Sequence, residues 1–437
     1  MASFTHRVLA LGLLLPAATA ACRDDSVLTG ASPPLANVLH TEGWASPGET
    51  RSGYVLDANG RPVLVTYTVH GSEAYLQGDI NLGPADAIPS TPPLTGGPGG
   101  PRRAVALASS NLRWTSGVVP YVIERGVDAS VVRAGIAMIE GATTSVDFVV
   151  RTNEKDYVRV APSGETCSSY VGRKGGEQKL LLRPDCPAGS VAHEFLHVLG
   201  ILHEQGRCDR REFIEILDWN FPRELKAEWD ADYAIFCGST FVQIGNYNPG
   251  SIMHYPATRT YLDGRKRRTV QVIRARVRAW EESMGQRNKL GGTDVKGVES
   301  LYPPRIPVHR RYNAAIPDHF YTRTASEGTQ AGWRTEANDY FYLASTSGSG
   351  YRWLYRCNVD GRHFVSLEQY CEAGVRAEEE MGRVATTQQP GTRPLYRLRH
   401  PRTRDRLTTW DTGERDRAVK GGYRLEGTTG FAWVRSN

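Results

Sequence analysis

A chain of 437 residues, 40% hydrophobic and 23% charged, has the length of about three domains of ~150 residues, each able to bury a core. Those proportions exclude wholesale disorder, collagen-like repeats and a protein made of membrane spans. The net charge of +6 is small for the length, and only 8 of the 53 basic residues are lysine, which argues against a nucleic-acid partner.

At the N-terminus His6 and Arg7 precede an apolar run, Val8 to Leu15, which Pro16 closes and the small residues Ala17 to Ala21 follow. This is the pattern of a signal peptide over 1–21, too short to cross a bilayer as a folded helix. Two cleavage readings stand: an ordinary cut near Ala20 or Ala21, or lipidation of Cys22, because Thr19-Ala20-Ala21-Cys22 resembles a bacterial lipobox. The expected compartment is extracellular or cell-surface and permits disulfides, with membrane contact only through a lipid on Cys22. Seven cysteines, at 22, 167, 186, 208, 237, 357 and 371, then leave six to pair.

Gly53 to Leu56, a turn at Asp57-Ala58-Asn59-Gly60 and alternating Val63, Val65, Tyr67 and Val69 predict a hairpin. The Pro/Gly-rich stretch from Pro89 to Pro101 reads as an exposed linker, closed by Arg102-Arg103, so a first unit spans 22–103. A second, over 104–304, opens with a strand at Val118 to Ile123 and a helix capped by Asp128. From 305 to 437 one pattern recurs about every 40 to 46 residues. Val308-His309-Arg310, Leu354-Tyr355-Arg356 and Leu395-Tyr396-Arg397 precede His319-Phe320-Tyr321-Thr322, His363-Phe364-Val365-Ser366 and Asp405-Arg406-Leu407-Thr408. Three copies of a small β-rich unit are expected.

The chemistry concentrates in His193-Glu194-Phe195-Leu196-His197-Val198-Leu199-Gly200-Ile201-Leu202-His203-Glu204. Histidines four apart share one helix face, so His193 and His197 can offer ring nitrogens to one ion, while Glu194 is turned about 100° away, beside it. Gly200 can take the left-handed conformation that ends a helix and brings His203 round as a third ligand. Three nitrogens with an open fourth position describe a single catalytic Zn2+ rather than a structural one.

Glu204-Gln205-Gly206-Arg207 after the third histidine and Ser251-Ile252-Met253-His254-Tyr255 further on resemble the astacin branch of the metzincin peptidases. Trp114 with Val118-Val119-Pro120-Tyr121, and Met284-Gly285-Gln286-Arg287 through Asp294 to Leu301-Tyr302, are similar to the two ends of that catalytic domain. The resemblance implies an α+β fold, a twisted mixed sheet with a zinc-binding active-site helix, preceded by a small propeptide and followed by the β-rich repeats. It implies a zinc endopeptidase acting on proteins or peptides, with Met253 in the turn beneath the metal and Tyr255 an additional ligand that swings away. Glu194 is then the base that takes the proton of a zinc-activated water, and Tyr255 a donor to the oxyanion.

Leu76-Gln77-Gly78-Asp79-Ile80 resembles the family's propeptide motif, which implies that Asp79 occupies the metal in a latent form. Cleavage after Arg103 would start the mature chain at Ala104, and its ammonium group is expected to pair with Glu204. One family disulfide is matched by Cys167 and Cys186, and the other, whose halves would fall near Ser145 and Pro304, is absent. Cys208 with Cys237 and Cys357 with Cys371 are the remaining expected pairs. The repeats resemble a module with His-Phe-Tyr-Thr words found at the ends of secreted bacterial proteins, which leaves two roles open, glycan or cell-surface binding and a spacer or stability module. A second reading of the whole, a surface-attached binding lipoprotein with a vestigial protease domain, requires damage that the ligand set does not display.

Overall fold

The computed structural model describes residues 43–44, 48–56, 61–93, 112–237, 243–263, 266–330, 332–372 and 374–435. The signal segment with Cys22, and the linker from residue 94 on with Arg102-Arg103, lie outside the described residues.

Ten strands build one mixed sheet: Gly43–Trp44 (β1), Glu49–Leu56 (β2), Pro62–His70 (β3), Glu73–Leu76 (β4), Ile80–Pro84 (β5), Val118–Ile123 (β6), Asp147–Val150 (β7), Tyr157–Pro162 (β8), Thr166–Ser169 (β9) and Glu177–Leu182 (β10). Their order is β2-β3-β4-β5-β9-β10-β8-β6-β7, with β1 also on β9. The two strands expected over 53–69 are β2 and β3, which pair antiparallel from Glu49↔Val69 to Leu56↔Pro62, while the turn at 57–60 lies outside the described residues. The first unit therefore continues the sheet of the second instead of standing apart from it. Ile80 of β5 pairs with Ser169 of β9, and Gly43 and Trp44 pair with Cys167 and Thr166, so both cover the edge of β9 that β10 leaves open.

On the sheet lie two helices, Ala129–Ala142 (α1), whose first turn is capped by Asp128 Oδ1 accepting from Ser130 N–H, and Ala188–Leu199 (α2). Buried Val119, Val160, Leu180, Ile139, Phe195 and Leu196 join them in one core. Gly189, at the start of α2, has no room for a side chain: a Cβ there would lie 1.7 Å from the Arg287 carbonyl oxygen. Disulfide Cys167–Cys186 ties β9 to the loop before α2, and Cys208–Cys237 and Cys357–Cys371 form as well.

Beyond α2 come Ile214–Ile216 (β11), Lys226–Asp232 (α3), Thr258–Asp263 (β12), Lys266–Gln271 (β13), Ile273–Ala275 (β14) and Gly292–Leu301 (α4). β11 pairs with β14 and β12 with β13. The remaining nine strands form a second sheet: Ile306–Asn313 (β15), Asp318–Thr322 (β16), Arg334–Leu343 (β17), Tyr351–Val359 (β18), Arg362–Ser366 (β19), Glu379–Ala385 (β20), Thr392–Arg399 (β21), Arg406–Thr409 (β22) and Arg424–Trp433 (β23), with helix Thr412–Lys420 (α5) before the last. The three repeats are the hairpins β15/β16, β18/β19 and β21/β22.

Neighbouring repeats interlock through histidine and aspartate. Asp405 Oδ2 accepts from His319 Nδ1 at 2.7 Å, and Asp318 Oδ2 from His363 Nδ1 at 2.7 Å. At the third junction both partners are lost together: the positions hold Arg362 and Arg406, and Arg406 lies over the Phe364 ring. The aromatic rings of the repeated words, Phe320, Tyr321 and Phe364, are buried, and so belong to the module's core rather than to its surface.

Candidate metal centre

Helix α2 is buried on every side, from Gly189 to Leu199. It ends at Gly200, whose φ of 105° is left-handed, with Ile201 N–H reaching back to Leu196 O at 2.9 Å. Its last carbonyls, which a helix leaves without internal partners, are all bonded. Gly172 N–H donates to His197 O, the Trp114 indole to Val198 O and the Tyr302 hydroxyl to Leu199 O. The helix therefore presents its histidines from a rigid, fully bonded support.

The turn at Gly200 brings His203 to His193 and His197. The Nε2 atom of His203 lies 3.2 Å from the Nε2 atoms of both. Each imidazole is oriented through its other nitrogen: Nδ1–H donates to Ile252 O from His193 (2.8 Å), to Ile201 O from His197 (2.7 Å) and to Gln77 Oε1 from His203 (2.9 Å). With the proton on Nδ1, three Nε2 lone pairs face one point. Asp79 completes the cluster: its Oδ2 is 3.1 Å from His203 Nε2 and 3.4 Å from His193 Nε2, and its Oδ1 is 3.6 Å from His197 Nε2.

All four residues are buried, and Asp79 Oδ1 has no hydrogen-bond partner. Burial drives His203 down to about 3, so it is neutral. A buried carboxylate facing three Nε2 lone pairs calls for a cation. A tetrahedral zinc with Zn–N bonds of about 2.0–2.1 Å would set its nitrogens about 3.3–3.4 Å apart, close to the 3.2 Å observed. The residues fit one zinc ion.

Around the cluster, Glu194 is fully buried on α2, and its backbone carbonyl accepts from Ser169 Oγ at 2.9 Å. Met253 is 1% exposed, one residue after the Ile252 carbonyl that orients His193. Its turn is fixed by Asp294, which accepts from Ser251 Oγ, Ile252 N–H and Gly291 N–H. The Tyr255 hydroxyl donates to Gln77 O, and the Asp79 carboxylate is the oxygen group that faces the histidines. Glu204 accepts from Asn248 N–H at 2.7 Å and lies 3.7 Å from Arg207 Nε; burial raises its carboxyl to about 7. It borders a cavity of about 90 Å3 that His203, Met253 and Asp294 also line.

Gln77 is the residue that the pattern of the sequence did not single out. It holds a left-handed backbone, φ 47°, is 0% exposed and binds at three points: to Tyr255, to His203 and, through Nε2, to Ala234 O at 2.9 Å. Behind Tyr255, Arg259 Nη2 pairs with Asp232 Oδ2 at 3.0 Å, and its guanidinium lies 5.5 Å from the Tyr255 ring centroid.

A sequence profile of the Astacin peptidase family matches residues 106–303. A second, described as a domain of unknown function (DUF5648), matches 289–372 and 307–433. The zinc metalloproteinase nas-6 of Caenorhabditis elegans is 29% identical over 275 residues, 61% of this chain and 73% of that protein. Astacin-like metalloprotease toxin 1 of Loxosceles intermedia is 32% identical over 201 residues, 44% of this chain and 73% of the toxin. Three further nematode zinc metalloproteinases are matched over 37% to 59% of their own lengths. Among solved structures, high choriolytic enzyme 1, a hatching enzyme zinc-protease of Oryzias latipes, aligns over 44% of this chain and 96% of its own, at 27% identity and a TM-score of 0.37.

Proposed function

The chain belongs to the Astacin family of zinc metalloendopeptidases, and on that premise we propose that it is an exported endopeptidase kept latent by its own N-terminal segment. The observation that carries this reading is the convergence of three lone-pair nitrogens from the 193–203 segment with a carboxylate from the segment before the linker.

Zinc held by His193, His197 and His203 would polarise the scissile carbonyl and acidify a water molecule. The rest is the work of side chains. Glu194, next to His193 on α2, takes the proton of the attacking water and hands it to the leaving amine. Its own position is held by the bond from Ser169 to its backbone. Tyr255 is withdrawn onto Gln77 O in the latent form. When residues 22–103 leave, its hydroxyl becomes free to serve as an additional ligand and to donate to the oxyanion, a contribution worth a few kcal/mol when the donor is preorganised.

Latency rests on occupation of both the cluster and the adjacent strand edge. Asp79 sits where the attacking water must stand, and β1 and β5 cover the edge of β9 that an extended peptide substrate would pair with. Cleavage after Arg103 gives a new ammonium group at Ala104, and the cavity beside Glu204 is the place for it, since a buried carboxyl raised to about 7 gains most from a cationic partner.

Export is assigned to the Val8–Leu15 segment, with Cys22 as the attachment point of a lipid in the surface-bound form. N-terminal sequencing with intact mass of the exported protein reports lipidation and propeptide removal together, and a chain that still carries residues 1–21 would refute export. The catalytic reading is tested by Asp79→Ala in the unprocessed chain. The account expects hydrolysis of a protein substrate before any cleavage at Arg103; a variant that stays fully latent would refute the aspartate switch.

A further inference from the structure

The repeats of 305–437 match a domain of unknown function, and the way their two ends are held assigns them a role. Arg305, immediately before the first strand of the module, and Arg435, two residues after its last, both place their guanidinium groups on the carboxylate of Asp147. Asp147 opens β7 in the catalytic sheet and is 5% exposed at its side chain. Oδ2 takes Arg305 Nη1 and Oδ1 takes Arg435 Nε at 3.1 Å. The remaining donors go to catalytic-domain carbonyls. Arg305 Nη2 reaches Ser116 O at 2.7 Å, and Arg435 reaches Glu140 O at 2.7 Å and Thr143 O at 2.6 Å, at the end of α1. In return Thr144 Oγ1 donates to Arg305 O at 2.8 Å.

Apolar contacts close the same joint. Tyr342, Ala344 and Trp433 of the module are buried against Val118, the first residue of β6. Arg305 lies 4.8 Å from the Trp433 ring centroid and Arg435 5.2 Å from that of Tyr342. A module tethered only by a linker would share neither buried charge nor core with its neighbour.

The joint also lies on the chain segments that cap the active-site helix. Trp114, two residues before the Ser116 carbonyl, donates to Val198 O, and Tyr302, three residues before Arg305, donates to Leu199 O and accepts from Trp114 N–H. These bonds satisfy helix-end carbonyls that water would otherwise have to reach.

We infer that the C-terminal module is a structural brace of the protease: Arg305 and Arg435, on either side of its sheet, grip Asp147 and thereby hold the segments around 114 and 302 against the end of the helix that carries His193 and His197. Two guanidinium groups share one buried carboxylate, so removal of any member leaves the others buried without full compensation. The module and the protease should therefore open as one unit.

The test uses the full-length chain with Arg435→Met, Asp147→Asn and, as a control, Arg352→Met at an exposed position of the module. Three measurements are made: the melting profile, hydrogen exchange at the amides of residues 197–201, and proteolysis of the 302–306 segment. The brace predicts one melting transition for the parent chain. With Arg435→Met it predicts a midpoint lower by about 3–8 °C, with exchange at 197–201 and cleavage at 302–306 each faster by about tenfold, while Arg352→Met behaves as the parent. It also predicts that Arg435→Met costs less in an Asp147→Asn background than in the parent chain, because the shared carboxylate is already gone. Parent-like exchange and cleavage in Arg435→Met, or full additivity in the double variant, would overturn the inference. Should Asp147→Asn fail to fold, Arg305→Met and Arg435→Met replace it in the cycle, and additivity between those two would overturn it equally.

Discussion

His193, His197 and His203 donate from Nδ1 to a carbonyl oxygen and turn Nε2 inward, but the three acceptors differ in origin. Two are backbone carbonyls of the catalytic segment, whereas that of His203 is the side chain of Gln77, before the linker. Acceptors of this kind typically change metal affinity 10–100-fold. Gln77→Met in the unprocessed chain should therefore release zinc to a chelator about tenfold faster while Asp79 still blocks hydrolysis; unchanged release, measured by chelator absorbance, would deny Gln77 that role. Glu194→Ala should keep one zinc per chain and lower kcat/KM by a factor of about 10²–10⁴, with metal content and peptide hydrolysis read on the same sample. The histidines were legible because a 4-residue spacing and a glycine translate directly into one helix face and one turn. Asp79 was legible only through its motif, for 114 residues separate it from His193. Gln77 was not, since a glutamine's partners depend on where its strand docks.

Helix α2 sets how much of the site survives perturbation, because its whole length is buried and its start touches backbone. Gly189→Ala would place a methyl 1.7 Å from Arg287 O, so the helix or the 284–288 turn must move, at a cost of about 1–3 kcal/mol or more; the melting midpoint of the full chain is the check. Helix α3 carries a pH effect. Glu228 lies behind Asp232 and Arg259, accepts from Gly48 N–H of the N-terminal segment, and is raised by burial to about 8 from an ordinary 4.5. A carboxyl raised in the docked state favours docking at low pH, and that advantage is lost as pH rises from about 4.5 through about 8. After the linker is cut, the N-terminal segment should stay bound more tightly at pH 6 than at pH 8, by up to about tenfold per pH unit. Glu228→Gln should flatten the dependence, as followed by size-exclusion of the nicked protein. Hairpins, α1 and the repeats were readable from alternation, caps and recurrence. The pairing of β5 with β9 across 89 residues was not, because local pattern says nothing of which edges meet.

At the scale of the whole molecule, the three parts proposed from length are less separate than their sequence boundaries suggest. The N-terminal segment extends the catalytic sheet and supplies one metal-facing carboxylate and one histidine acceptor. The C-terminal module is fastened at both ends to Asp147. The absent second disulfide, expected near Ser145 and Pro304, falls in that same place, where Thr144 bonds to Arg305 and the two arginines meet the aspartate. Ionic and apolar contacts thus join two segments that a covalent bridge joins in the family. Arginines at 305 and 435 carry no recognisable motif, so this joint could be found only once both ends of the module were seen on one carboxylate.

The central claim is that a zinc ion on His193, His197 and His203 drives peptide hydrolysis once the N-terminal segment has gone. Its most direct test is the rate of hydrolysis of a protein substrate by the chain cleaved at Arg103, before chelation, after chelation and after one equivalent of zinc is returned. The account predicts activity, its loss and its recovery with about one zinc per chain; hydrolysis that persists in the metal-free protein, or that never appears with the site filled, would contradict it.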